Sequence, residues 1–146
     1  MTQDSDKATI VSLIEARARA IRSKDADAAL SPCAPDFVRY DLAPPLGRTG
    51  AAALDRDRLI GWFETWRGPI RYELKDFAIT VSGDIAFGHG FLRIGGTKID
   101  GQAGDVWARQ TVCLRKRDGA WTIVHEHIST PFYMDGSLKA AVDLTP

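Results

Sequence analysis

A strand-like segment near the end of the chain carries residue types suited to proton chemistry. Trp121, Ile123, His125, His127 and Ser129 are spaced two apart, so in an extended strand they share one face. This face changes from apolar to polar along its length, which is typical of a strand whose apolar end packs in the core and whose polar end lines a pocket. Histidine titrates near neutral pH and suits proton transfer. The spacing therefore predicts a pocket that contains both imidazoles and the hydroxyl.

A β-hairpin is expected to position this strand. Alternating segments, 105–116 and 120–130, flank Arg117-Asp118-Gly119, which is typical of a turn closed by a left-handed glycine.

The length of the turn decides what lies opposite the histidines. A three-residue loop places Thr111 opposite His125 and Arg109 opposite His127, whereas a two- or four-residue loop shifts the register by one residue and turns Arg109 away. In the first register Arg109 would bind a carboxylate or enolate oxygen of a ligand. A structural ion pair with a nearby acidic side chain is the alternative.

Helices precede a long meander of strands. Apolar spacing predicts helices over 5–23, 25–30 and about 51–67, and a short strand over 37–41. Alternation over 70–81 changes parity near Lys75-Asp76, which indicates a β-bulge. A strand over 85–94 and a loop from Gly95 to Gly104 follow. This order predicts an α+β fold, with helices on one side of a curved sheet.

Several aromatic and imidazole side chains could belong either to the core or to a pocket. Trp62 recurs at helical spacing, so a core position is the simpler interpretation. Trp66 and Trp107 are candidates for contact with a flat ligand. His89 stands among glycines on a central strand and is a further candidate.

Composition restricts the partners. The 146 residues have zero formal net charge and 45% hydrophobic content, which fits one domain and argues against nucleic acid or an anionic membrane as a partner. The start of the chain is polar, and no window is apolar enough to span a membrane. Cys33 and Cys113 are expected to be reduced, which favours a cytoplasmic location. No nucleotide or zinc-hydrolase motif occurs, so no cofactor is expected.

Three segments together resemble a known family: 38–45, 62–66, and 117–121 running into 124–129. They are similar to the SnoaL-like, ketosteroid-isomerase-like branch of the nuclear-transport-factor-2-like superfamily. The resemblance implies a cone-shaped fold, with about three N-terminal helices over the concave face of a curved antiparallel sheet. It implies one domain over 1–146, with a core at about 5–132 and an irregular tail at 133–146. A homodimer and a first strand beside the last are also implied.

The resemblance places Asp41 where ketosteroid isomerases keep a general-base aspartate. Their enolate-binding tyrosine and protonated aspartic acid correspond to Arg17 and Thr111 here, which do not reproduce that acid pair. The resemblance therefore implies a pocket of this family without classical steroid isomerisation.

The hypothesis that follows is a cofactor-free pocket for a compact, mostly apolar carbonyl or carboxylate compound. Asp41 would act as base, His127 as acid or relay and Arg109 as oxyanion partner, in an isomerase, dehydratase or cyclase. Two alternatives stay open: a non-catalytic dimeric association or ligand-sensing module, and a metal site on His125 and His127 with a third ligand. The expected substrate-binding residues are Tyr40, Trp62, Trp66, His89, Trp107, Thr111, His125 and Ser129.

Overall fold

The structure is a computed structural model, and it describes residues 2–146. Its helices are α1 (Gln3–Arg22), α2 (Ala26–Leu30) and α3 (Arg56–Phe63), with a 3-10 turn at Gly50–Ala52. Its strands are β1 (Cys33–Tyr40), β2 (Arg48–Thr49), β3 (Trp66–Ser82), β4 (Ile85–Lys98), β5 (Ala103–Arg117) and β6 (Ala120–Ser129). The predicted α+β class is confirmed.

One six-stranded sheet has the order β2-β1-β6-β5-β4-β3. The strands pair antiparallel except for β1 and β6, which run parallel. The implied neighbourhood of first and last strands is therefore present, and the single parallel pair makes the sheet mixed rather than purely antiparallel.

The helices begin at side-chain caps. Asp25 and Asp55 accept hydrogen bonds from the backbone N–H groups of Ala28 and Arg58, each at 3.1 Å, at the starts of α2 and α3. The helix expected over about 51–67 is shorter than predicted, because Asp55 caps a later start and Trp66 already belongs to β3.

The sheet is bent where the sequence predicted a bulge. The pairing of β3 with β4 shifts between Lys75 and Ala78, and Asp76 has a φ of 54°.

The expected loop at Gly95 is wrong, because β4 continues to Lys98. A Cβ at Gly95 would lie 2.7 Å from the carbonyl oxygen of Gly104. Glycine thus allows the close approach of β4 and β5, and the paired strands continue beyond it.

The core lies between α1 and the inner face of the sheet, the face turned toward the helices. One cluster surrounds the hairpin and includes Ile10, Phe37, Leu114, Trp121 and Ile123. A second cluster, at the other end of the sheet, includes Ile21, Phe63, Trp66, Tyr72 and Ile128. Several residues of the second cluster also border a large cavity. No helix in the described part of the chain is long and apolar enough to cross a membrane.

Candidate functional site

A second bulge, in β6, decides which side chains reach the cavity. Leu114 pairs with Ile123, but the next residue of β5, Cys113, pairs with His125. Val124 is therefore an extra residue, and every side chain beyond it changes face.

The predicted continuous face is consequently wrong. Trp121 and Ile123 are buried in the core, but His125, His127 and Ser129 lie on the outer face of the sheet. In their place Glu126 and Ile128 are buried on the inner face.

The pairing of β5 with β6 also places the predicted residues of β5. A two-residue turn pairs Arg117 with Ala120, Thr111 with His127 and Arg109 with Ser129. Arg109 Nη2 donates to Ser129 Oγ at 3.3 Å, so the side chain expected to bind a ligand oxygen lies on the outer face.

The remaining outer candidates lie on neighbouring strands. His89 pairs with Thr111 in the sheet ladder. The cations of Lys75 and Arg93 lie over the Trp107 ring, at 5.8 and 5.7 Å from its centroid. The outer-face cluster is Tyr40, Phe87, His89, Phe91, Trp107, Arg109, Thr111, His125, His127 and Ser129.

Contacts within the outer-face cluster are mostly aromatic. The Tyr40 ring meets His125 and His127 edge-on, with centroids 4.8 and 5.5 Å apart. The His125 Nδ1 atom is 2.8 Å from the carbonyl oxygen of Val38. These contacts fix His125 against β1, on the sheet face opposite the cavity.

The cavity has a volume of about 610 Å³ and lies between the helices and the inner face. This volume falls within the range of about 300–1,000 Å³ that is typical of ligand sites. Two predicted ligand contacts, Trp62 and Trp66, line it together with Asp41. Its other apolar walls include Ile21, Leu30, Leu59, Ile94, Val106 and Ile128.

One end of the cavity is polar and is built around Asp41. Its Oδ2 atom accepts a hydrogen bond from Arg48 Nη2 at 3.1 Å and lies 3.2 Å from Arg39 Nε. Its Oδ1 atom accepts the backbone N–H of Leu42 at 2.8 Å. A carboxylate and two guanidiniums therefore share one corner.

A buried ion pair lies beside this corner. Arg17 and Glu126 are 5% and 0% exposed and form a two-pronged contact. Arg17 Nε also donates to the carbonyl oxygen of Ala29 at 3.1 Å, and Gln110 Nε2 donates to Glu126 at 3.1 Å. Burial alone would raise the pKa of Glu126, but the charges of Arg17 and Arg39 outweigh it and lower the pKa to about 2.

Two further polar groups border the cavity. Burial, and then the charge of Glu126, raises the pKa of the Tyr72 phenol well above its usual range. Lys98 Nζ lies 3.7 Å above the Trp66 ring centroid and donates to Thr65 Oγ1 at 3.0 Å. Burial lowers the pKa of Lys98.

The sequence analysis missed Arg39, Arg48 and Glu126 as site residues, and it named Arg17 only as the position that corresponds to the enolate-binding tyrosine of the ketosteroid isomerases. One signal was present for Arg17, which lies three residues after Ile14 and four before Ile21 on the apolar stripe. A buried arginine requires a carboxylate partner, but nothing in the spacing identified Glu126 as that partner.

The structure does not unite the Asp41–His127 pair, because Asp41 lines the cavity and His127 lies on the outer face. Within residues 2–146, no group of three or more His, Cys, Asp or Glu side chains is placed to hold a metal ion.

Comparison with known proteins agrees with this architecture. A model of the SnoaL-like domain matches residues 10–133, and the chain therefore belongs to the SnoaL-like domain family. No protein of curated function matches its sequence.

Solved structures share the fold. An NTF2-like protein of unknown function from Pseudomonas putida is 29% identical, with a TM-score of 0.88 and 100% coverage of both chains. A candidate aromatic ring hydroxylase from Novosphingobium aromaticivorans is 25% identical, with a TM-score of 0.76 and coverage of 88% of this chain and 90% of that one. A candidate calcium/calmodulin-dependent kinase association domain from Xanthomonas campestris is also 25% identical, with a TM-score of 0.62 and coverage of 83% and 84%.

Proposed function

We propose that the protein binds a compact, mostly apolar small molecule with a carbonyl or carboxylate oxygen and promotes cofactor-independent proton transfer on it. The observation that carries this proposal is the cavity itself, with apolar aromatic walls and one polar corner at Asp41. A few converging polar groups in an apolar pocket are typical of small-molecule sites. Isomerisation, dehydration and cyclisation all use such a proton transfer.

Asp41 is the base in this proposal. A carbon–hydrogen bond next to a carbonyl breaks, the proton moves to an Asp41 carboxylate oxygen, and the electron pair moves to the carbonyl oxygen as an enolate. Negative charge thereby passes from the carboxylate to the ligand. Arg39 and Arg48 contact the Asp41 Oδ2 atom, so an enolate oxygen formed beside this carboxyl group would be close to both positive charges.

The roles first assigned to His127 and Arg109 pass to other residues. Both lie on the outer face, whereas Arg39 and Arg48 lie in the same corner as Asp41. The proposal therefore keeps the predicted base and replaces the predicted acid and oxyanion partner.

A ligand screen followed by isotope exchange tests this function. Small ketones, hydroxy acids, sterols and aromatic polyketides would be screened by thermal shift, since a ligand at about 100 times its dissociation constant adds about 2.7 kcal/mol to the native state. Stabilising compounds would then be incubated with the protein in D₂O, and loss of carbon-bound protons would be followed by NMR.

We expect the wild-type protein to exchange carbon-bound protons of the ligand with D₂O. The Asp41→Asn variant should exchange them about 100-fold more slowly, or slower still. Asp84→Asn, in the exposed turn between β3 and β4, is the control and leaves exchange unchanged. Undiminished exchange in Asp41→Asn would overturn the role of this carboxylate. A panel without a single stabilising compound would contradict small-molecule binding.

We also propose a homodimer formed through the outer-face cluster. Phe87 and Phe91 are 44% and 37% exposed on this face, and Tyr40 is 42% exposed. Exposed aromatic side chains on one sheet face are characteristic of protein interfaces. The likeness to a candidate association domain supports assembly, and sedimentation of outer-face variants tests it.

A further inference from the structure

The polar corner of the cavity holds more positive than negative charge. Three guanidiniums, of Arg17, Arg39 and Arg48, face two carboxylates, of Asp41 and Glu126. Arg17 pairs with Glu126 and Arg48 with Asp41, and Arg39 Nε lies 3.2 Å from Asp41 and 3.5 Å from Glu126, so the three guanidiniums share the two carboxylates. One positive charge in this corner therefore lacks a dedicated partner.

These charges are shielded from water. The side chains of Arg39 and Arg48 are 15% and 13% exposed, and that of Asp41 is 23% exposed. Unpaired charge in such surroundings is costly, and a bound counter-charge relieves the cost. Burial, followed by repulsion from Arg39 and Arg58, lowers the pKa of Arg48, as expected where cations crowd together.

The other charged groups around the cavity do not remove this excess. Asp105 lies 2.7 Å from Arg93, a residue outside the cavity lining. Asp55 caps α3, Arg58 donates to the carbonyl oxygen of Pro44 at 2.8 Å, and Lys98 lies over Trp66. With Asp105 paired to Arg93, the acid Asp55 and the bases Arg58 and Lys98 remain at the cavity rim, and they do not offset the positive charge of the corner.

The guanidiniums also have hydrogen-bonding capacity to spare. Arg48 binds Asp41 through Nη2, and the buried Arg39 Nε has no well-directed hydrogen bond within residues 2–146. A guanidinium presents five N–H donors in a plane, which suits a second carboxylate.

We infer that the ligand is a monoanion that carries an aromatic ring and one carboxylate, and that this carboxylate binds between Arg39 and Arg48. Its ring would pack against Trp62 and Trp66, whose own rings are 6.0 Å apart and nearly perpendicular. This inference rests on the proposed function, because it names the ligand class of the same cavity.

A matched pair of probes, one charged and one neutral, tests whether the cavity prefers an anionic ligand. Titration calorimetry would compare 2-naphthoate with its neutral isostere 2-naphthamide on the wild-type protein. A hydrogen bond between charged groups is worth about 1.5–3 kcal/mol, so the carboxylate should bind about tenfold more tightly or better. Equal affinities would overturn the inference that the ligand is a monoanion and would leave the proposed cavity function intact.

Variants of the corner locate the effect. Arg48→Met should abolish the preference for naphthoate, and Arg48→Lys should restore part of it by keeping the charge. Arg115→Met, an exposed arginine of β5 outside the cavity lining, should keep the full preference. Circular dichroism would check that each variant folds, and an intact preference in folded Arg48→Met would overturn the assignment.

The two proposals fail in different ways. Absence of naphthoate binding, together with stabilisation by neutral ketones in the thermal-shift screen, would overturn only the inference that the ligand is a monoanion. Absence of every stabilising compound would overturn the proposed function as well.

Discussion

The Arg17–Glu126 pair is the residue-scale feature on which the cavity depends. Arg17 reaches from α1 to β6 and also holds the carbonyl oxygen of Ala29 at the end of α2. Three elements thus meet at one guanidinium. Removing one member of such a buried pair leaves an uncompensated charge, which costs about 3–5 kcal/mol.

Glu126→Gln should therefore destabilise the protein at neutral pH by about 3 kcal/mol and should flatten its acid dependence. The pKa of Glu126 is lowered from 4.5 to about 2 in the fold. Its stabilising contribution is present above the unfolded value and is lost as pH falls through the folded one. Urea unfolding between about pH 7 and pH 3 measures this loss.

The comparison must be made between variants, because exposed carboxylates such as Asp36 and Asp105 also have lowered pKa values. Glu64→Gln, at an exposed position after α3, should keep the wild-type acid dependence. If the acid dependence of Glu126→Gln matched that of the wild type, the ion pair would not be the source.

At the scale of elements, the two bulges show what sequence can predict. At Asp76 the apolar parity changes from Leu74 to Phe77, so the pattern itself records the shift. Beyond Val124 the chain alternates histidine and glutamate, and Ile128 is the one apolar residue there that follows the new parity. The change of apolar parity therefore rests on the single pair Ile123 and Ile128, and the sequence analysis misplaced the site residues beyond the bulge.

The elements themselves were more predictable than the site. Helix and strand order follow from local apolar spacing, whereas the polar corner joins Arg17, Arg39, Arg48 and Glu126 from four elements. Such a cluster depends on sheet register and long-range pairing, which local spacing does not contain.

Helix α3 should depend on its N-terminal cap. Asp55→Ala removes the acceptor of the Arg58 N–H and should lower the unfolding free energy by about 1 kcal/mol. Asp57→Ala, in the same first turn, removes a charge but no cap and should lower the unfolding free energy by only about 0.3 kcal/mol. Equal losses in urea unfolding would show that the cap is unimportant.

At the scale of the whole molecule, the sheet separates two surfaces. The inner face encloses the cavity with its charged corner, and the outer face carries the chain's three histidines among exposed aromatic rings. Adjacent residues on β1 illustrate the division, since Arg39 borders the cavity and Tyr40 contacts His127. A partner on the outer face would therefore leave the cavity open to ligand.

The outer face should hold two copies of the chain together, and sedimentation equilibrium measures this. A two-fold interface uses the same patch on both subunits, so one substitution introduces two charges. We expect a wild-type dimer that Phe87→Asp converts to monomer, because unpaired carboxylates would be buried. Ile99→Asp, at a 62% exposed residue of the β4–β5 turn, places the same charge away from the patch and should leave the dimer intact. A wild-type monomer at every concentration, or a Phe87→Asp dimer as tight as the wild type, would rule out this face as the interface.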